Sequence, residues 1–219
     1  MPQQPVTLSE RVASDIRELI ARGKLSPSQR LSETDMAERL NVSRNTLREA
    51  FRSLTNEGLV VYEVNRGVSV AVPSISAVID IYRVRRMVEL QALRSAYPQH
   101  PAVTQMATAI EKAQDHADRK DWVGVGNANI QFHASIVDLA DSPRLNSFFA
   151  KLATELRLAF GLLDEPEMMH APYVPLNREL LALVQRGDMI DATNRLEQYL
   201  LQSERAVLAA LTRLEAKSN

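Results

Sequence analysis

The sequence predicts a mainly α-helical protein in two parts: a small N-terminal module of helices closed by a β-hairpin, then a larger all-α helical bundle. Three observations carry this prediction. Apolar residues recur at helical spacing through the first fifty residues, two short strand-like runs lie between Leu59 and Val72, and the strand pattern disappears after Pro73-Ser74. The expected organisation is therefore 1–73 for the first module, 74–76 as a linker and 77–219 for the bundle.

The first helix is marked by Leu8, Val12, Ile16, Leu19 and Ile20, with Thr7 or Ser9 available as its cap. Arg22-Gly23-Lys24 stops it with a C-terminal glycine and basic charge. Leu25 to Leu31 reads as a turn-rich connection. Ser32 with Asp35 then resembles a capping box, with Asp in the place of the usual Glu or Gln, and opens a short helix carrying Met36, Ala37 and Leu40. Asn41 ends that helix, and a third begins almost at once, capped by Ser43 or Asn41. Two helices meeting across so tight a turn form a helix-turn-helix. Leu59–Glu63 and Val68–Val72 follow as strands joined by Val64-Asn65-Arg66-Gly67, where the glycine suits a turn needing positive φ. Helix, helix-turn-helix and hairpin together give a winged helix-turn-helix.

The third helix has two faces. Leu47, Phe51 and Leu54 form an apolar stripe for a core, while Arg44, Arg48 and Arg52 share one exposed side with no acid between them. Arg44, Asn45 and Arg48 fall in the first two turns, which are the turns that enter a major groove in this motif. Arginine reads guanine through two hydrogen bonds and asparagine can read adenine in the same way. Arg66 at the hairpin tip is placed to reach a phosphate or the minor groove. A solvated basic face would explain an arginine triplet alone, and winged helices also mediate protein contacts; the complete module favours double-stranded DNA.

The stretch Leu31-Ser32-Glu33, Met36 to Arg44, Leu47-Arg48-Glu49-Ala50, Leu54, Glu57-Gly58-Leu59 and Arg66-Gly67 resembles the N-terminal domain of GntR-family bacterial transcription regulators. The resemblance implies that Arg44 and Arg48 contact guanines, that Asn45 and Thr46 tune the site, and that Gly67 lies against the DNA backbone. Asn45-Thr46 stands where many members have Thr-Pro, and Thr34 where relatives often place a further DNA-contacting arginine.

Composition agrees with a regulator held in the cytoplasm. The 219 residues suffice for two domains, and there is no cysteine, which excludes disulfides and thiolate metal sites. No apolar run approaches the roughly 18 residues of a membrane span, and no signal sequence is evident at the N-terminus. Net charge is −1 overall, and residues 1–73 hold 10 Lys or Arg against 9 Asp or Glu. Binding must then rest on where charge is placed, with few contacts carrying the specific site.

Beyond the linker, six helices are expected, near 76–96, 102–119, 122–140, 143–163, 173–186 and 188–215, separated by Pro, Gly or capping residues. Ile81 to Glu89, Asp121-Trp122, Phe132-His133, and Gly187-Asp188 with Ala192 make this half similar to the ligand-sensing FCD domain of the largest GntR subfamily. That resemblance implies a homodimer on an inverted-repeat operator and a metal held by an Asp and three His. Here the Asp position holds Asn129 and two His positions hold Asn177 and Tyr199, so only His133 survives. Neutral amides are poor ligands for zinc or nickel, and tyrosine must first lose a proton near pKa ~10. No metal cofactor is therefore expected, although a weakly held divalent ion stays open; Met168, Met169 and His170 nearby fall in an expected loop.

The resemblance also implies that Asn129, His133, Asn177 and Tyr199 line one cavity, with Arg85 facing an effector. One arginine among amide, imidazole and phenol donors suits a small carboxylate, since guanidinium pairs with it through two hydrogen bonds. Singly, each has a plainer reading: His133 as a satisfied core histidine, Arg85 as the partner of Glu89 one turn on. The rival functions are an architectural DNA-binding dimer without effector, a metal-dependent FCD sensor, and an enzyme built on Asn129, His133 and Tyr199, for which no supporting catalytic motif is seen.

Overall fold

The computed structural model of the chain describes residues 7–63, 67–163 and 165–218. Its backbone divides into two compact units, with the boundary in the leading chain after Pro73.

The first unit opens with α1 (Leu8–Ala21). Of the two candidate caps Thr7 serves, accepting from the Glu10 amide while the Glu10 carboxylate accepts from the Thr7 amide. The connection that follows holds a strand the sequence did not announce, β1 (Arg30–Leu31), too short to show an alternation. Next come α2 (Glu33–Leu40) and α3 (Arg44–Asn56). Asn41 turns the chain between them in the left-handed region at φ 52°, which Asn tolerates better than most residues. The hairpin strands are β2 (Val60–Glu63) and β3 (Gly67–Val70), each a little shorter than expected. All three strands pair antiparallel in the order β1-β3-β2, with Leu31 opposite Val68 and Glu63 opposite Gly67.

The core of this unit is built by the predicted apolar stripes. Val12, Ile16 and Ile20 of α1 meet Leu47, Phe51 and Leu54 of α3, with Leu31, Val68 and Val70 closing the sheet side. Burial of each large side chain contributes about 1.5–3 kcal/mol. Arg17 on α1 clamps Glu57 just past α3 with two hydrogen bonds of 2.7 and 2.8 Å, which fixes how α3 lies across α1. At the other end of α3, Ser43 accepts from the Thr46 amide at 3.1 Å. Ser43→Ala is expected to lower unfolding stability by about 1 kcal/mol, a loss readable in thermal melts followed by circular dichroism.

Beyond Pro73 the described elements are all helices: α4 (Ile75–Arg94), α5 (Pro101–Asp118), α6 (Trp122–Asp138), α7 (Pro143–Phe160), α8 (Pro166–His170), α9 (Tyr173–Arg186) and α10 (Met189–Ser218), of which the α7 residues from Arg157 on group with the first unit and the rest form the second. Two expectations change here. Residues 74–76 are no linker: Ser74 caps α4 through the Ala77 amide, and Ile75 and Ser76 are already helical. Met168, Met169 and His170 are not in a loop but on the short α8, with Met169 and His170 buried. Gly126 on α6 allows that approach, since a Cβ there would lie 2.8 Å from His170 Nε2.

Helices α5 and α6 form the tightest pair, α4 packs on α10 and α6, and α9 bridges α5 and α10. Leu90, Leu93, Met106, Phe132, Ile136, Leu180, Leu196 and Leu200 fill the space between them. This arrangement brings polar residues of α4, α6, α9 and α10 to one buried place.

Candidate nucleic-acid interface and buried polar site

On the first unit, α3 presents the predicted basic face. Arg44, Asn45, Arg48 and Arg52 are exposed along it, and Leu47, Ala50, Phe51 and Leu54 are buried behind. The N-terminus of α3 adds backbone N–H groups at the same end, which favours an anion such as a phosphate. Thr46 is half-buried and its hydroxyl lies 2.8 Å from that of Ser43, so it serves the cap as well as facing the site. Thr34 is exposed on the first turn of α2. Gly67 opens β3 at φ +82°, where any side chain would be strained. Arg66, the predicted wing-tip contact, lies outside the described residues.

Two features of this face were not anticipated. Arg48 Nε donates to Glu33 Oε2 at 2.9 Å, so a base-reading candidate is held by the first turn of α2. Tyr62 on β2 stands exposed beside Arg48 and Arg52, lining with Phe51 and Val68 a cleft of about 470 Å³ between helix and hairpin. Nothing in the spacing signals the Glu33 contact, because it joins residues fifteen apart through the helix-turn-helix turn. As the pair is largely exposed, its own worth is about 0.2–1 kcal/mol. Glu33→Gln should therefore leave the melting temperature almost unchanged and alter operator affinity only a few-fold; a gel shift at two salt concentrations checks this.

On the second unit, the five predicted residues come together. Asn129 Oδ1 accepts from Asn177 Nδ2 at 2.7 Å and from the Tyr199 hydroxyl at 2.9 Å. The Tyr199 ring meets the His133 ring edge-on at 4.9 Å between centroids, and the tilted Tyr173 ring is also 4.9 Å from that of Tyr199. Glu89, wholly buried, joins the rest: Oε1 accepts from Arg85 Nε at 2.7 Å, and Oε2 lies 2.6 Å from His133 Nδ1. Beside them the Tyr82 and Ser203 hydroxyls are 2.7 Å apart.

The electrostatics follow from that geometry. Burial pushes Glu89 upward, but Arg85 and then His133 outweigh it and hold the carboxyl below its ordinary range. Burial lowers Arg85, and Glu89 more than restores it. For His133 burial wins, holding it below its ordinary value of 6.5 despite Glu89. The imidazole is then neutral and its Nδ1 carries the proton, since a carboxylate can only accept. Burial also pushes the Tyr82 phenol up to about 12 and raises Tyr199 well above its usual range.

Arg85, expected to face an effector, has an internal partner in Glu89. The plainer reading, an ion pair one turn apart, is the one formed. The donor set does not suit a resident zinc or nickel: amides and a phenol with raised pKa surround one histidine. Among the described residues no group of three or more His, Cys, Asp or Glu is gathered as a metal would need.

Residues 8–70 match the bacterial regulatory proteins of the gntR family, and residues 80–202, more than half of the chain, match the FCD domain. A protein from Rhodococcus sp. RHA1, solved as a GntR-type transcriptional regulator, superposes with a TM-score of 0.87 at 36% identity, over 92% of this chain and 98% of that one. The chain belongs to the GntR family. Among curated relatives of this GntR protein, the Nta operon transcriptional regulator of Aminobacter aminovorans is 27% identical over 136 residues, spanning 61% of this chain and 64% of that one. The transcriptional repressor RspR of Escherichia coli is 23% identical over 212 residues, 94% of this chain and 90% of its own. These families and relatives are transcription regulators, not enzymes. Within this GntR protein no described helix is long and apolar enough to cross a membrane.

Proposed function

We propose that this GntR-family regulator binds operator DNA through α3 and that a small molecule held in the α4/α6/α9/α10 polar cluster controls the binding. The observation that carries the first part is the exposed set Arg44, Asn45, Arg48 and Arg52 on one face of a capped helix in a winged helix-turn-helix. Two copies on an inverted repeat would match the two-fold symmetry that such modules use. Repression is the direction favoured, since RspR, similar along nearly the whole chain, is named a repressor. Its workplace would be the cytoplasm, where the DNA is.

Control by a ligand is supported by the buried cluster itself. Burying so many polar groups in a helical core is expensive unless each finds a partner. A ligand there acts on DNA binding only through unequal affinity for the DNA-competent and incompetent arrangements. The test is selection of operator fragments from random duplex DNA by the full chain, followed by anisotropy titration of the winning site. An inverted repeat bound two chains at a time, in a strongly salt-dependent manner, is the expected result. Recovery of no common sequence would overturn the reading.

A further inference from the structure

Resting on the effector reading above, we infer that the ligand of the α4/α6/α9/α10 cluster is an uncharged molecule presenting O–H or N–H donors, and not an acid.

The inference comes from counting hydrogen-bond partners. Two wholly buried atoms of the cluster have none, His133 Nε2 and Asn177 Oδ1. Both belong to side chains only 2–3% exposed. Each is an acceptor. His133 spends its one proton on Glu89 through Nδ1, which leaves Nε2 as a bare lone pair. Asn177 spends an amide hydrogen on Asn129, and its oxygen is left over. Asn129 Oδ1 cannot relieve either, since it is an acceptor already taken by two donors. Each of these two atoms takes a donor, and a carboxylate brings only acceptors.

Charge points the same way. Arg85 and Glu89 cancel within the cluster, and His133 and the tyrosines are neutral. A buried ion of either sign would have no counter-charge left to meet it, and a buried unpaired ion is strongly disfavoured. Two acceptors beside tyrosine rings instead fit a neutral molecule with two donors and apolar faces, whether a polyol or a primary amide.

The experiment uses the full chain in EDTA. The protonation of His133 is read from long-range proton–nitrogen NMR, and melting temperatures are recorded with matched acids and amides: lactate against lactamide, succinate against succinamide, benzoate against benzamide. Xylitol serves as the hydroxyl probe, and zinc without EDTA as the metal control. The expected result is a proton on Nδ1 and none on Nε2. At least one amide or xylitol should raise the melting temperature, by roughly 5 °C at about 100 times its Kd. The matching acid should do nothing, and the gain should vanish in Asn177→Leu, whose own melt shows that it folds. A proton on Nε2, stabilisation by acids or by zinc alone, or no stabilisation by any probe (an ordered water only) overturns the inference. The two readings fail separately. If an amide binds but operator affinity does not move, the ligand class stands and effector control falls. If an acid releases the operator, effector control stands and this inference falls.

Discussion

Arg48→Ala is expected to weaken binding at the cognate operator by about 1–3 kcal/mol, roughly 5- to 150-fold, and to relax base choice at one position of each half-site. Arg44→Ala should do the same at another position. Both side chains leave the exposed face of the first two turns of α3, the part of the helix that reaches base edges in this motif. Arg52 lies a further turn on and is expected to behave differently. Arg52→Ala should weaken matched and mismatched sites alike and reduce the salt slope by about one, the mark of a phosphate contact. Anisotropy titrations of the three variants on matched and singly mismatched duplexes separate these outcomes. Equal losses on every duplex for Arg48→Ala would assign it to the backbone. Arg48 also differs from Arg44 in being held by Glu33, so its arm is partly ordered before DNA arrives. Ordering in the free state lowers the entropy lost on binding, provided the carboxylate yields to the base.

Much of this face was legible in the sequence because its determinants are local. A capping serine, a 3.6-residue apolar period and an arginine at every fourth position each constrain one helix, and α3 carries all three between Ser43 and Leu54. Helix order in the second unit was legible for the same reason, with breaks at Pro, Gly and Asp. What escaped was non-local or too short to show a period. Strand β1 is two residues long and exists because β3 offers it an edge. Helix α8 is five residues long, and its burial depends on Gly126, forty residues earlier in the chain. The buried site divides along the same line. Resemblance placed Asn129, His133, Asn177 and Tyr199 together, but it could not say that Glu89 joins Arg85 to His133. Glu89 is four residues from Arg85 and forty-four from His133, so sequence spacing reveals the first bond and conceals the second.

That second bond makes Glu89 the residue whose loss should harm the fold most. Glu89→Leu leaves Arg85 charged, buried and unpaired, and takes from His133 Nδ1 the acceptor that fixes its orientation. Removing one partner of a buried pair typically costs 3–5 kcal/mol. For a chain of this size that corresponds to a melting temperature lower by roughly 6–20 °C. Glu89→Gln should fall between, since the amide can still accept one hydrogen bond but cannot balance the guanidinium. The double variant Arg85→Met with Glu89→Leu should regain most of the loss, because exchanging a buried ion pair for apolar side chains of similar size is often neutral or stabilising. Failure of the double variant to recover would show that the bond to His133, not charge balance, is what Glu89 supplies. Acid should act on the same residues. The depressed Glu89 carboxyl contributes stability that is complete above its unfolded value of 4.5 and is lost as pH falls through its folded value. His133, neutral in the fold and depressed below 6.5, adds a loss that begins as pH drops below 6.5, where the unfolded chain takes up the proton first. Both contributions have the same sign. Melting temperature should fall from pH 7 to pH 4, with the upper part of that fall flattened in His133→Gln. A parallel fall in this variant would place the acid sensitivity elsewhere in the chain.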